Sequence, residues 1–244
     1  MTFATRAFGG PTVTFTYGGL AFITDPTFDE PGDYPIGDRK LIKTAAPAGK
    51  PEDAAPVDVV LLSHDQHPDN LDRRGREFAI AAPLVLSTPT AAERLGTPVR
   101  GLAPWEQAEL PGGVTVTAVP AQHGPDGSEH LVGPVTGFVL RADGEPTVYV
   151  SGDNASLRVV EEIAARFPSI DVAILFGGRA RTALMGDANL TLSATQMVTA
   201  SEKLGVSDVV PVHIDSWAHF TENVADVRAA FAAAGKENLL AAAS

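Results

Sequence analysis

Six histidines occur in the chain, at His64, His67, His123, His130, His213 and His219, and most of them follow a stretch that reads as a β-strand. His64 and His67 fall in Ser63-His64-Asp65-Gln66-His67-Pro68-Asp69-Asn70, directly behind the apolar run 57–62. His123 lies in Pro120-Ala121-Gln122-His123-Gly124 behind residues 114–119, and His213 follows 209–212. Asp153, in Ser151-Gly152-Asp153-Asn154, stands in the same relation to 147–150. Neutral imidazole and carboxylate are ligands that zinc, iron and manganese accept, and one carboxylate can bridge two such ions. The chain has no cysteine, which excludes disulfides, thiolate zinc sites, iron–sulfur clusters and a cysteine nucleophile. A histidine and aspartate set without thiolates points to a hydrolytic rather than a structural metal site.

For these groups to meet, the strands must lie side by side with their C-terminal ends together, where rim loops build α/β sites. Residues 12–17 and 20–24 flank Gly18-Gly19 and read as an N-terminal hairpin. Residues 25–56, rich in Pro, Gly, Asp and Lys, show no period and read as a long excursion. The pattern then predicts helices over 71–80 and 90–95 and strands over 84–87, 107–110 and 114–119. A second hairpin, 135–140 with 147–150, turns at Asp143-Gly144-Glu145. Helix 155–167, strand 172–176 ending at Gly177-Gly178, helix 191–204, strand 209–212 and an Ala-rich helix over 223–234 complete the order. No low-complexity linker divides the chain, so residues 1–244 read as one domain in which two sheets pack together with helices outside.

At 244 residues, 44% hydrophobic and 20% charged, the chain can bury about three quarters of its unfolded surface, so a metal is not needed to hold it together. Eighteen basic against thirty acidic residues leave a net charge of −12, whose field repels polyanions and argues against nucleic acid as a partner. Residues 1–10 hold a single arginine and no apolar core of signal-peptide length, and no run approaches the roughly 18 apolar residues of a membrane span. The expectation is a cytoplasmic protein acting on a small-molecule substrate, with self-association into a homo-oligomer left open.

Each piece also has a plainer reading. His123 alone can be a hydrogen-bonded structural residue, Asp153 can cap the helix near Ala155, and Asp69 or Asn70 can cap the helix near Leu71. His219 stands in Asp215-Ser216-Trp217-Ala218-His219-Phe220, where it either touches substrate or caps the next helix, and Trp217 reads as core filler. Asp25-Pro26 makes a turn in which Asp25 accepts backbone hydrogen bonds or supports a metal-bound histidine from behind. Arg179 and Arg181 either hold a substrate phosphate or are solvated. His130 sits in a polar loop and is given no role.

Taken in order, the His-rich loop, Pro-Ala-x-His-Gly, Ser-Gly-Asp and the strand-end His213 resemble the metallo-β-lactamase-fold hydrolases. Gly18-Gly19 with Ile23-Thr24-Asp25-Pro26-Thr27-Phe28 is similar to the branch containing L-ascorbate-6-phosphate lactonase and the N-acyl-phosphatidylethanolamine phospholipase D enzymes, and the resemblance spans about residues 12–220. It implies an α/β (α+β) fold, an αββα sandwich of two mixed β-sheets flanked by helices, with the site along one edge.

The family's first motif is His-x-His-x-Asp-His, and this chain departs from it. Anchoring on Asp69 places Asp65, His67 and Asn70 on the three histidines; anchoring on Ser63-His64 keeps His64 and inserts one residue, with His67 or Gln66 completing the motif. The second register is preferred because the insertion falls in a loop. The resemblance then implies that His64, His67 and His123 hold one ion, that Asp69 and His213 hold another, that Asp153 bridges, and that Asn70 is a weak or outer ligand, since an amide binds zinc-like ions less well than imidazole. The expected cofactor is one or two divalent metal ions, zinc first, with manganese or iron as alternatives. The implied chemistry is attack by a metal-activated water on a lactone, ester or phosphodiester, with Asp69 orienting the water and His219 as a second catalytic candidate. Gln66 and Asn70 motivate an alternative: a degenerate member that binds a small metabolite or a single metal without turnover.

Overall fold

A computed structural model describes residues 3–241; residues 1–2 and 242–244, which the single-domain and leader expectations include, lie outside the described residues. The chain runs β1 (Thr5–Gly9), β2 (Thr12–Tyr17), β3 (Leu20–Thr24), β4 (Gly32–Ile36), β5 (Arg39–Lys43), α1 (Pro51–Ala54), β6 (Val59–Leu61), α2 (Arg73–Ala81), β7 (Leu84–Ser87), α3 (Pro89–Leu95) and β8 (Val99–Gly101). It continues through β9 (Gln107–Leu110), β10 (Val114–Pro120), α4 (Glu129–Val132), β11 (Thr136–Arg141), β12 (Val148–Val150), α5 (Leu157–Arg166), β13 (Val172–Phe176), α6 (Ala194–Leu204), β14 (Asp208–Val212) and α7 (Val224–Ala233).

Two six-stranded sheets result, one in the order β1-β2-β3-β6-β7-β8 and the other β14-β13-β12-β11-β10-β9. Both are mixed: β3, β6, β7 and β8 run parallel, as do β12, β13 and β14, and the remaining pairs are antiparallel. The period-two alternation of side chains assigns each strand residue to one of two cores. Val59, Leu61, Phe15, Phe22, Phe138, Ile174, Phe176 and Val212 meet between the sheets. Val60, Leu62 and Ile23 point outward, where they pack with Ala79 of α2, while Ala173 and Leu175 point outward against Val160 and Ile163 of α5 and Met197 of α6. Strands buried on both faces therefore read as continuous apolar runs. Each fully buried Val, Leu, Ile or Phe side chain contributes roughly 1.5–3 kcal/mol to holding the layers together.

The expected αββα sandwich is thus present. The excursion over 25–56 is only partly irregular, because β4 and β5 form a separate two-stranded hairpin. Apart from buried Lys43 its residues are half-buried or exposed, and Asp, Pro, Lys and Arg interrupt the apolar ones, so its sequence carries no apolar period. The hairpin is pinned through Lys43, which pairs in antiparallel fashion with Trp217 and whose buried Nζ lies 3.2 Å from Asp72 Oδ2. Among the helix caps, Asp72 accepts from the Gly75 amide at 2.8 Å, Ser156 caps α5, Ser193 forms a capping box with Gln196 on α6, and Asn223 caps α7.

Candidate metal centre

The strands deliver their polar loops to one edge. Strand β6 of the first sheet ends just before Ser63, while β10, β12 and β14 of the second sheet point the same way and end before His123, Asp153 and His213. The sheets are tied at this edge by the Thr136 amide, which donates to the Ser63 carbonyl at 3.0 Å. Gly152 makes the close approach feasible: its φ is +57° and a Cβ there would lie 2.5 Å from the Thr136 carbonyl oxygen.

Two ligand-type groups assemble at the edge. His64, His67, His123 and Asp153 bring one donor atom each to within 4.8 Å of one another, and Asp69, Asp153 and His213 do the same. Asp153 belongs to both, with its Oδ2 at 3.7 Å from His123 Nε2 and 4.0 Å from His64 Nε2, and its Oδ1 at 3.7 Å from His213 Nε2. His64 Nε2 and His67 Nδ1 stand 2.9 Å apart, and His213 Nε2 is 3.3 Å from Asp69 Oδ2.

The surroundings fix which ring nitrogens face inward. Ser63 Oγ donates its single proton to Asp25 Oδ2 at 2.6 Å, so the His64 Nδ1–H donates to Ser63 Oγ at 2.9 Å and leaves Nε2 as a lone pair toward the cluster. His123 Nδ1 donates to the Leu190 carbonyl at 2.8 Å with the same consequence for its Nε2. Asp25, fully buried at φ 27°, also accepts from the Ser63 amide at 2.6 Å and from Asn70 Nδ2 at 3.2 Å. Its two readings therefore combine, since it accepts a backbone hydrogen bond and steadies His64 through Ser63. The next residue, Pro26, packs closely on α2 because Gly75 has no side chain: a Cβ there would lie 1.7 Å from the Pro26 carbonyl oxygen.

Electrostatics divide the two groups. Burial, reinforced by neighbouring imidazoles, pushes His64 well below the ordinary histidine range and His123 down to about 3, and burial likewise lowers His67. Burial pushes Asp25 up to about 7 and Asp153 up to about 6. Burial alone would lower His213, but the carboxylates of Asp153 and Asp69 raise it to about 9; burial alone would raise Asp69, but His219 and His213 hold it well below the usual carboxylate range. Three neutral imidazoles thus stand beside a pocket in which the carboxylates of Asp69 and Asp153 face a readily protonated His213.

The residues fit a divalent ion. Asp153 Oδ2 and Asp69 Oδ1 are buried without a hydrogen-bond partner, a costly state for carboxylate oxygens that a cation would relieve. His64, His67, His123 and Asp153 would hold one ion, and Asp69, His213 and Asp153 a second.

The remaining candidates fall as follows. Asp65 is turned away and gripped by Arg94 through both carboxylate oxygens, with Nε at 2.9 Å, so only the register with an inserted residue brings two histidines together. Gln66 packs against Gly133. Asn70 lies beside the bridging carboxylate, its Nδ2 donating to Asp153 Oδ1 at 3.3 Å. Neither Asp153, Asp69 nor Asn70 caps a helix, since Ser156 and Asp72 do so. His219 Nε2 is 3.0 Å from Asp69 Oδ2 and its ring lines the cavity over the cluster, while Trp217 is buried under Lys43 and against Tyr34. Arg179 is held by Glu222 and Asn189, and Arg181 by Asn189 and, at 3.9 Å, Asp187, and neither lines the cavity. His130 is exposed, with Nδ1 on the Gly127 carbonyl. Leu190, the anchor of His123, is not visible in the sequence, because it acts through a backbone carbonyl, which carries no residue-type signal.

A sandwich of this topology with a histidine and aspartate cluster at the edge shared by its sheets defines the metallo-β-lactamase class of fold. More narrowly, the chain belongs to the β-lactamase superfamily: the model of the beta-lactamase superfamily domain matches residues 21–214. A UPF0173 metal-dependent hydrolase of Pelotomaculum thermopropionicum is 31% identical over 189 residues, covering 73% of this chain and 76% of its own. Another, from Pyrococcus abyssi, is 27% identical over 172 residues, covering 69% and 71%. Among solved structures, a possible metal-dependent hydrolase from Veillonella parvula superposes with a TM-score of 0.83 at 20% identity, covering 100% of this chain and 97% of that one. The isothiocyanate hydrolase from Delia radicum gut bacteria gives 0.82 at 22% identity, covering 97% and 94%. These two likenesses concern the fold.

Proposed function

We propose that the protein hydrolyses a lactone, ester or phosphodiester with one or two divalent ions, zinc first and manganese or iron next. The observation that carries this reading is the convergence of His64, His67, His123, Asp69, His213 and the shared Asp153 on one sheet edge, with buried donor atoms left unpartnered. An ion bound there would supply Lewis acidity and a water acidified towards a pKa of about 7. The chain's own residues do the rest. Asp69 is ionised and its Oδ2 already faces His213 and His219, so its unpartnered Oδ1 is available to orient a water by accepting its hydrogen bond. His219, at the cavity wall, is placed to exchange a proton with a leaving group. Leu190 and Ser63 keep His123 and His64 in their ligating tautomers.

The test is elemental analysis of chelator-free protein together with turnover of lactone, ester and phosphodiester probes. An isothiocyanate belongs in the panel because a protein of the same fold acts on one. Bound metal with turnover of at least one probe supports the reading; no metal after reloading overturns it.

A second reading, a family member that binds one metal or a metabolite without turnover, is favoured by one observation: Asn70 stands where the motif has histidine and spends its amide protons on Asp25 and Asp153. Bound metal with no turnover across the panel would establish it.

A further inference from the structure

An open cavity above the cluster is lined by His67, Asp69, His123 and His219. Its roof comes from three separate segments: the β4–β5 hairpin contributes Ile36 and Leu41, α4 contributes Leu131, and the loop after β13 contributes Leu184 and Leu190. Leu131 and Leu184 are 44% and 40% exposed, so two of the five exposed large apolar side chains among the described residues flank this one opening. Apolar area left uncovered beside a polar site marks a binding surface.

One positive charge stands in this apolar lining. Arg39, the first residue of β5, lines the cavity, is exposed and has no ion-pair partner among the described residues. On a chain with net charge −12, which otherwise repels anions, an unpaired guanidinium at the cavity is a local exception.

We infer that the substrate is a small amphiphilic anion, with an alkyl or aryl body seated on Leu131 and Leu184 and one negative charge, carboxylate or phosphate, held by Arg39. The inference rests on the hydrolase reading for the place of the reacting bond, but its recognition chemistry can be tested without turnover. A neutral sugar-like substrate would leave the leucines uncovered, and a purely apolar one would leave Arg39 without a role.

The experiment is calorimetric titration of the metal-loaded protein with octanoate, monooctyl phosphate, acetate, inorganic phosphate and 1-octanol. Octanoate or monooctyl phosphate should bind at least tenfold tighter than its short counterpart, and the tighter of the two identifies the head group. Arg39→Gln, a change at an exposed site, should weaken both long anions about tenfold and leave 1-octanol within twofold. Leu131→Ser combined with Leu184→Ser should remove most of the chain-length preference. Unchanged anion binding in Arg39→Gln, or octanoate no tighter than acetate and octyl phosphate no tighter than phosphate, overturns the inference. Absence of turnover with these binding differences intact would count against the hydrolase reading alone.

Discussion

Asn70 donates its side-chain amide to two buried carboxylates at once, Asp25 Oδ2 at 3.2 Å and Asp153 Oδ1 at 3.3 Å. The reversed amide orientation would point its oxygen at both carboxylates, so the hydrogen-bond network fixes the one observed. The oxygen of Asp153 that faces His213 is therefore already engaged, whereas Oδ2, facing His64 and His123, is not. The two ligand groups are unequal by construction.

That inequality predicts stepwise loading. Titration with zinc should show a first ion bound at least tenfold more tightly than a second, and Asn70→His should narrow the gap by adding an imidazole to the second group. Equal affinities in the wild type would refute the asymmetry.

Asp153 belongs to both groups and His123 to one. Asp153→Ala should lose both ions and His123→Ala only the tighter one, each with at least a hundredfold fall in turnover and a circular-dichroism spectrum like the wild type. Full activity in either folded variant would remove the site from consideration.

Asp65 is buried, and Arg94 supplies its countercharge. Arg94→Ala should cost about 1–3 kcal/mol in urea unfolding, because it strands a buried carboxylate, and should leave the metal content unchanged. Loss of metal would show that Asp65 helps to ligate after all.

In chelator-treated protein, acid should weaken the His64, His67 and His123 side of the site. A histidine whose folded pKa lies below its unfolded value of about 6.5 takes up no proton in the fold while the unfolded chain does, so its stabilisation is complete above pH 6.5 and is lost as pH falls towards the folded value. For His123, lowered to about 3, the window runs from about 6.5 to 3. The stability difference between wild type and His123→Gln should therefore shrink by up to about 1.4 kcal/mol per pH unit across it. A difference independent of pH would show that His123 is not held neutral.

Much of the sandwich is legible because its inner strands are buried on both faces: residues 84–87 and 172–176 match observed strands end to end, and so does the edge strand 107–110, where buried Ala108 alternates with exposed Gln107 and Glu109. The hairpin of β4 and β5 is not, since a half-exposed two-stranded element needs no apolar alternation. Strands β1, with a bulge in its pairing, and β8, only three residues long, carry little pattern in the sequence, as both lie at sheet edges. At the site, residue type and strand-end position marked the histidines and Asp153. Which of Asp65 and His64 faces the cluster depended instead on Arg94, a partner far along the chain. His219 was ambiguous for the same reason, as its contact with Asp69 spans 150 residues of sequence.

The site draws His64, His67 and Asp69 from the half of the chain that forms the first sheet, and His123, Asp153 and His213 from the half that forms the second. A cation held by Asp69 and His213 would stitch the halves together like a mineral staple, closing a loop of more than a hundred residues in a chain without a single cysteine. A covalent link across a loop of that length restricts the unfolded chain by roughly 5 kcal/mol. Metal status would then govern not only what the protein can catalyse but how long it survives heat and proteases.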